Sequence, residues 1–201
     1  MEMRCGERDC NGECNEAMIT MASEVLAMGE LLVYPTETLY GLGADASRPG
    51  CVEKVRELKG SPAEQGISVA YTDVEQAATV LGELPDMAWE LAKEFTPGPL
   101  TLVVEMGGRT EGIRIPDHPF ARKLIRELGP ITSTSANLHG CPSPREMKTA
   151  REQLGNEVKL YIDCGTCRVG EGSTVVKVTD VLEILREGAI GREELGEYLE
   201  Y

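Results

Sequence analysis

Hydroxyl groups, a carboxylate and two glycines follow an apolar segment early in the chain. Residues 31–34 lead through Pro35 into the Thr-Glu-Thr triplet at 36–38, and Gly41 and Gly43 come shortly after. Proline lacks a backbone N–H and fixes φ, so we expect a strand to end at Pro35. Strand ends are where α/β proteins commonly build small-molecule sites, and the glycines would permit positive φ or close approach of a ligand. A polar turn between two core strands is the alternative.

A second polar loop, with Ser133, Ser135 and Asn137, follows apolar Ile131. Hydroxyl and amide groups placed after a strand suit the phosphates and sugar of a nucleotide. No Ser-His-Asp order and no reactive-cysteine context accompany these residues. We therefore assign no covalent protein nucleophile.

Arg114 stands between Ile113 and Ile115 in a strand-like pattern. Alternate side chains of a strand face opposite ways, so the guanidinium should point into a cleft or into solvent. A guanidinium in a cleft suits a carboxylate or a phosphate, and a solvated strand charge is the alternative. His118 precedes Pro119 and either takes part in chemistry or only starts a helix.

Seven cysteines, an odd number, argue against a disulfide framework. Cys5, Cys10 and Cys14 lie in a polar N-terminal stretch, and Cys164 and Cys167 form a CxxC pair. A zinc site would need four ligands and so would require the tail to meet the CxxC. Ordinary thiols and a frayed tail are the simpler expectation.

Strand and helix patterns alternate along the rest of the chain. Residues 100–115 and 175–186 resemble hairpins, and Thr-Asp-Val-Glu at 72–75 and Ser-Pro-Arg-Glu at 143–146 resemble capping boxes. The helical period that begins at 72 continues through Phe95. We predict one α/β (α+β mixed) domain at residues 14–201, with a twisted mixed parallel and antiparallel sheet flanked by helices. Residues 1–13 are predicted to be a flexible tail that contains cysteines.

Composition narrows the classes of function. The 201 residues carry a formal charge of −14, which opposes free RNA binding because that depends on neutralising phosphates, so weak or no RNA binding is expected. No apolar run approaches the roughly 20 residues of a membrane span, so no membrane association is expected. The N-terminus lacks the apolar core of a signal peptide, which predicts a cytoplasmic protein.

Five motifs together resemble the YrdC-like family of threonylcarbamoyl-AMP synthases. They are Tyr-Pro-Thr-Glu-Thr-Leu-Tyr-Gly-Leu-Gly at 34–43, Phe-Thr-Pro-Gly-Pro-Leu-Thr at 95–101, Ile-Arg-Ile-Pro-Asp-His-Pro at 113–119, Thr-Ser-Thr-Ser-Ala-Asn at 132–137 and Ser-Thr-Val-Val at 173–176. They occur in the family's order and cover roughly residues 17 to 190. On these motifs the chain is identified as a member of that family, with a YrdC-like fold.

The resemblance implies an activity and its residues. The family makes threonylcarbamoyl-AMP and pyrophosphate from L-threonine, bicarbonate and ATP, with Mg²⁺ accompanying the ATP, and a tRNA-modifying transferase complex uses the product downstream. The resemblance implies catalytic roles for Lys59 and Arg114, a threonine pocket at Thr36, Thr38, Tyr40 and Arg114, and nucleotide binding by Lys59, Ser61, Ser133, Ser135, Asn137, Ser173 and Arg186. His139 has no counterpart in the family and is expected on the surface. No protein-bound metal is predicted.

Ser61 departs from the family pattern, which has Lys-x-Arg where this chain has Lys59-Gly60-Ser61. The spacing to Ile67 fits without a gap, so the arginine is substituted and not displaced. A lost charge-assisted phosphate contact costs about 1.5 to 3 kcal/mol. The alternative to an active synthase is therefore a weakly active or non-catalytic paralogue that binds nucleotide or RNA. In an active synthase, Arg56 and Arg109 are the candidates to supply the missing charge.

Overall fold

The computed structural model describes residues 1–4, 16–62 and 65–199. Within them the helices are Glu16–Ala27 (α1), Pro49–Lys59 (α2), Val74–Leu81 (α3), Asp86–Phe95 (α4), Pro119–Leu128 (α5), Met147–Leu154 (α6) and Gly196–Leu199 (α7). The strands are Glu2–Arg4 (β1), Leu32–Tyr34 (β2), Gly41–Gly43 (β3), Val69–Ala70 (β4), Leu100–Met106 (β5), Arg109–Arg114 (β6), Ile131–Thr132 (β7), Thr134–Ser135 (β8), Leu160–Asp163 (β9), Thr174–Val178 (β10) and Leu182–Arg186 (β11).

These strands form two mixed sheets. Sheet A has the order β1-β9-β2-β3-β8, and sheet B has the order β11-β10-β5-β6-β4-β7. The mixed α/β class is confirmed, but the strands are divided between two sheets instead of forming one. The chain passes from sheet B to sheet A between β7 and β8, so Ser133 lies at the crossing point.

The two predicted hairpins are confirmed. β5 pairs antiparallel with β6 around Gly107 and Gly108, both of which have positive φ. β10 pairs antiparallel with β11 and also runs parallel to β5. The result is a wide sheet B, one face of which is available to build a site.

Buried apolar side chains hold the layers together. Ile19 and Leu26 of α1 pack with Phe120 and Leu124 of α5 against both sheets, and Leu91 of α4 belongs to a separate cluster on sheet B. A third cluster places α2 and α6 against sheet A. Helix α2 has Pro49 in its first turn, which needs no N–H, and Gly60 closes it in the left-handed conformation at φ 63°. This C-cap fixes the position of Lys59.

Gly41 and Gly43 serve packing within sheet A. Neither is among the glycines with positive φ, and a Cβ on Gly41 or Gly43 would stand 2.9 or 3.0 Å from the Tyr34 ring. The Tyr34 hydroxyl donates to the Thr132 carbonyl oxygen at 3.1 Å. The glycines therefore let an aromatic ring lie against β3, and neither has the positive φ that was one of their two expected roles.

Several local predictions are also corrected. The helical period from 72 to 95 is divided into α3 and α4, because Gly82 and Pro85 interrupt it. The cap of α3 is Asp73, whose side chain accepts from the Gln76 N–H, and α6 begins after Glu146 without any side-chain cap. Neither predicted capping box forms as such.

The N-terminal tail is structured at its start. Residues 2–4 form β1, which runs parallel to β9, so they are not a flexible tail, whereas residues 5–13 lie outside the described residues. Cys164 is disulfide-bonded, whereas Cys51, Cys141 and Cys167 are thiols. The expectation of ordinary thiols is therefore wrong for Cys164.

The described residues contain neither a metal-binding cluster nor a membrane-spanning helix. No group of three or more histidine, cysteine, aspartate or glutamate side chains in residues 1–4, 16–62 and 65–199 is placed to hold a metal ion. Over the same ranges no helix is long and apolar enough to cross a bilayer.

Candidate active site

A cleft of about 760 Å³ lies between the edge of sheet A and one face of sheet B. Its walls come from the loop after β2, the end of α2, the segment before β4, the β7–β8 crossing and the segments on either side of β10 and β11. Among the sequence-predicted residues, those that line it are Thr36, Thr38, Tyr40, Lys59, Arg114, Ser133, Ser135, Asn137, Ser173 and Arg186. Residues far apart in sequence thus meet at one site.

The loop after β2 is held by the Thr36 hydroxyl. This oxygen donates to the Leu39 carbonyl oxygen at 2.6 Å and lies within 3.2 Å of the N–H groups of Thr38 and Leu39. The hydroxyls of Thr36 and Thr38 are 2.9 Å apart. Either hydroxyl can be the donor between them, so the Thr38 hydroxyl keeps hydrogen-bonding capacity for a ligand.

Tyr40 has a different environment from these threonines. Its side chain is completely buried, and its hydroxyl donates to the Gly165 carbonyl oxygen at 2.6 Å and accepts from the Cys164 N–H at 3.0 Å. Although Tyr40 borders the cleft, its hydroxyl anchors the turn at 163–165. Tyr40 therefore forms part of the wall of the cleft and stabilises the adjacent turn.

Arg114 is buried beside Glu37, and the two form an ion pair. Nη1 of Arg114 donates to the carbonyl oxygens of Leu100 at 3.3 Å and Ile115 at 3.2 Å, while Nη2 donates to Glu37 Oε1. A guanidinium has five N–H groups, so the bonds to described residues leave two for a ligand. Two N–H groups match the two oxygens of one carboxylate.

Lys59 lies at the C-terminal end of α2 with its side chain buried. Its ammonium donates to the carbonyl oxygens of Ser135 at 2.5 Å and Asn137 at 2.7 Å, with Asn137 Oδ1 at 3.5 Å. Burial lowers its pKa to about 8, so the group remains mostly protonated at neutral pH. Because these oxygens occupy its three N–H groups, Lys59 fixes the 135–137 segment and places a positive charge beneath it.

The amide of Asn137 is also engaged within the protein. Nδ2 donates to the carbonyl oxygens of Leu138 at 2.9 Å and Cys141 at 2.8 Å. Asn137 therefore shapes its own loop, and the hydroxyls of Ser133 and Ser135 are the groups on this wall that suit a ligand.

Arg186 brings a guanidinium to the far side of the cleft. Nη2 donates to the Ser173 carbonyl oxygen at 2.7 Å, and the Ser173 hydroxyl is 2.7 Å from that of Thr101. Among the described residues no hydrogen bond involves Nη1 or Nε of Arg186, and the residue is exposed. Of the three cations among the described lining residues, Arg186 has the most donors available to an anion.

Ser61 and its two proposed substitutes lie outside the lining of the cleft. The Ser61 N–H donates to the Arg56 carbonyl oxygen at 3.2 Å, immediately after the cap of α2. The Arg56 side chain donates to the carbonyl oxygens of Pro62 and Gln65, at 3.1 and 2.6 Å, and so secures this segment. Arg109 is likewise absent from the lining residues, whereas Gln65 is one of them.

His118 is the N-cap residue of α5, and its carbonyl oxygen accepts from the Arg122 N–H at 3.0 Å. Burial lowers the pKa of its imidazole to about 4, so the ring is neutral at neutral pH. It does not line the main cleft. Of its two interpretations, the start of a helix is the one that the structure supports.

Other residues line the cleft without having been predicted. They include Ser68, Thr101, His139, Ser143, Glu171 and Glu187. Thr101 lies between Leu100 and Leu102, and this alternation was a usable signal for a polar side chain on the opposite face of β5. His139 is exposed, as expected, but it lies in the wall of the cleft.

Two sheets joined by a crossing strand, with a polar cleft that carries lysine and arginine, define a small α/β protein suited to anionic ligands. The chain belongs to the Sua5/YciO/YrdC family, whose model, described as "Telomere recombination", matches residues 24–188. It thus falls in the family that the five sequence motifs indicated.

Individual relatives support this assignment. The chain is 38% identical over 194 residues to the threonylcarbamoyl-AMP synthase of Bacillus subtilis, covering 90% of this chain and 56% of that protein. It is 35% identical over 192 residues to a putative threonylcarbamoyl-AMP synthase of Mycobacterium tuberculosis, covering 90% and 88%. The solved structure of P. abyssi Sua5 complexed with L-threonine matches with a TM-score of 0.88 and 34% identity, over 98% of this chain and 60% of that one. The chain thus spans little more than half the length of some relatives.

Proposed function

We propose that this chain is an L-threonylcarbamoyladenylate synthase, which makes threonylcarbamoyl-AMP and pyrophosphate from L-threonine, bicarbonate and ATP. The observation that carries this proposal is the single cleft in which the Thr36–Thr38 loop and Arg114 face Lys59, Ser135 and Arg186. An amino-acid pocket and a phosphate-binding wall thereby share one volume of about 760 Å³, within the range of natural ligand sites.

Threonine would bind between Arg114 and Thr38. The two remaining N–H groups of Arg114 suit the α-carboxylate, and the hydroxyl of Thr38 suits the ammonium or the hydroxyl of the amino acid. A pocket that hydrogen-bonds a substrate hydroxyl rejects analogues without one. Valine, which lacks the hydroxyl, should therefore be excluded more strongly than serine.

ATP would lie along the other wall. The Ser133 and Ser135 hydroxyls and the Arg186 guanidinium suit its phosphates and sugar, and the buried charge of Lys59 stabilises negative charge nearby. Among the described lining residues, Glu171 and Glu187 are the only carboxylates. With so few protein ligands, Mg²⁺ would be held largely by the ATP phosphates and water, and it would neutralise phosphate charge.

The chemistry needs orientation more than a protein nucleophile. The threonine amine attacks bicarbonate to give a carbamate and water, and a carbamate oxygen then attacks the α-phosphorus as pyrophosphate leaves. Holding the amine, bicarbonate and the α-phosphate in one cleft makes these steps effectively intramolecular. The product is labile, so we propose transfer to tRNA adenosine by a downstream transferase complex in the cytoplasm.

Pyrophosphate release tests the proposal directly. The purified chain should release pyrophosphate only when L-threonine, bicarbonate and Mg-ATP are all present, with serine a weaker substrate than threonine and valine inactive. Bound ATP without any threonine-dependent release would instead favour the nucleotide- or RNA-binding paralogue, which the Ser61 substitution motivates.

Replacing Ser61 by arginine should raise pyrophosphate release at subsaturating ATP by about ten- to a hundredfold, the equivalent of one charge-assisted hydrogen bond. Ser61 is two residues beyond Lys59, from which a long side chain can extend toward the cleft. The measurement is kcat/KM for ATP, with Ser61→Gln as an uncharged control at the same position.

Equal activity of the Ser61→Arg, Ser61→Gln and unmodified proteins would contradict this prediction. That result would mean that the cleft already has sufficient charge, with Arg186 as its source. Inactivity of all three proteins with ATP still bound would count against the synthase itself.

A further inference from the structure

Glu37 is a buried carboxylate that has no assigned role in the proposed reaction. It is 2% exposed, and both of its oxygens are engaged. Oε1 accepts from Arg114 Nη2, and Oε2 accepts from the Asp117 N–H at 3.1 Å. The carboxylate therefore joins the loop after β2 to the chain that leaves β6.

The backbone around Glu37 extends this connection to a third segment. The Glu37 carbonyl oxygen accepts from the Val169 N–H at 2.8 Å, and the Thr38 carbonyl oxygen accepts from the Gly170 N–H at 3.0 Å. Gly170 belongs to the wall of the cleft. The Glu37–Thr38 segment thus contacts Arg114 through the carboxylate and a second wall of the cleft through its backbone.

The hydrogen bonds that surround Arg114 restrict the orientation of its side chain. Its Nη1 is bound to two carbonyl oxygens and its Nη2 to Glu37, so the guanidinium plane is fixed before any ligand arrives. A preorganised group loses less conformational freedom when it binds a substrate. Without Glu37, Arg114 would lose the only charged partner it has in the described chain.

We propose that Glu37 is the positioning residue of the amino-acid pocket, acting through Arg114 on the carboxylate of the substrate amino acid. This inference rests on the proposed function and deepens it by assigning amino-acid affinity to a group that the substrate does not touch. Glu37 is not the base that deprotonates the substrate ammonium, because both its oxygens are occupied and it is almost inaccessible.

Glu37→Gln tests the proposal because it keeps the shape and removes the charge. The dissociation constant for L-threonine, measured by calorimetry, should rise about ten- to a hundredfold, as for a weakened charge-assisted bond. The dissociation constant for ATP should change less than about twofold, since Lys59 and Arg186 are bonded elsewhere. Glu127→Gln, at an exposed glutamate of α5 outside the cleft, should leave threonine affinity unchanged.

A double-variant cycle separates positioning from direct action. If Glu37 acts through Arg114, adding Glu37→Gln to Arg114→Gln should weaken threonine binding no further than Arg114→Gln does. Multiplicative losses, or equal losses of threonine and ATP affinity, would overturn the proposal. Unchanged threonine affinity in Glu37→Gln would also overturn it.

Two further measurements address a Glu37→Gln variant that fails to fold and test directly whether Glu37 orders Arg114. If Glu37→Gln does not fold, Glu37→Asp is measured in its place, because it keeps the charge and shortens the reach; undiminished threonine affinity then overturns the proposal. Hydrogen exchange of the Arg114 Nη2–H groups, which contact Glu37, should be faster in the variant when followed by NMR without ligand. Slow exchange in both proteins would show that Glu37 does not order Arg114, whereas a wild-type chain without threonine affinity would overturn the proposed function.

Discussion

Replacing Lys59 by methionine should lower kcat/KM for ATP in pyrophosphate release by about 100- to 1,000-fold. The substitution removes a buried charge and three donors that hold the Ser135 and Asn137 segment, and each hydrogen bond from a charged group is worth about 1.5 to 3 kcal/mol. Because these bonds form one network, their losses should not add in full. The wall proposed to bind ATP would lose both its electrostatic potential and its shape.

Lys54→Met is the matched control for this prediction. Lys54 lies on the same helix, and its ammonium also donates to a backbone carbonyl oxygen, that of Gly29 at 2.8 Å, but it does not line the cleft. Its substitution should leave kcat/KM for ATP within about twofold. Similar losses in the two variants would show that the effect of Lys59 comes from a general perturbation of α2.

Replacing Arg114 by methionine should lower the free energy of unfolding by about 3 to 5 kcal/mol, because Glu37 would remain as a buried charge without its partner. For a chain of this length a loss of that size corresponds to a fall in Tm of roughly 6 to 20 °C. Urea unfolding followed by circular dichroism gives the first quantity, and a thermal scan gives the second.

Two variants make this second prediction specific. The double variant Glu37→Leu with Arg114→Met removes both charges and should recover most of the lost stability, since apolar replacements of a buried pair are often nearly neutral. Lys177→Met breaks the exposed pair with Glu105, 2.7 Å apart, and should change the midpoint of unfolding little. Equal effects of the exposed and the buried substitutions would contradict the argument.

Much of the candidate site followed from sequence because motifs report local chemistry. The Thr-Glu-Thr and Ser-x-Ser-x-Asn loops were predicted at strand ends and Arg114 within a strand, and residues of all three line one cleft. The resemblance to the family supplied the order of these motifs, and the family match agrees with it. Element type was also predictable where the pattern was long, as in the two hairpins.

The ends of the helices and the pairing of the strands were harder to predict from sequence, because they depend on contacts between residues that are distant in sequence. β1 is a strand only because β9 pairs with it, and nothing in residues 2–4 signals that pairing. The single helical period at 72–95 hid two helices, and the division of the strands between two sheets required knowledge of where β7 and β8 pair.

The sequence by itself determined the composition of the site, that is, which hydroxyls, amide, lysine and arginines are present. Only the tertiary structure decided which of these groups are available to a ligand. Tyr40, Asn137 and Lys59 have polar groups engaged by the protein itself, whereas Arg186 keeps donors that no described residue uses. The physical reason is that a hydrogen-bonding group has few donors and acceptors, and residues far away in sequence determine how many remain.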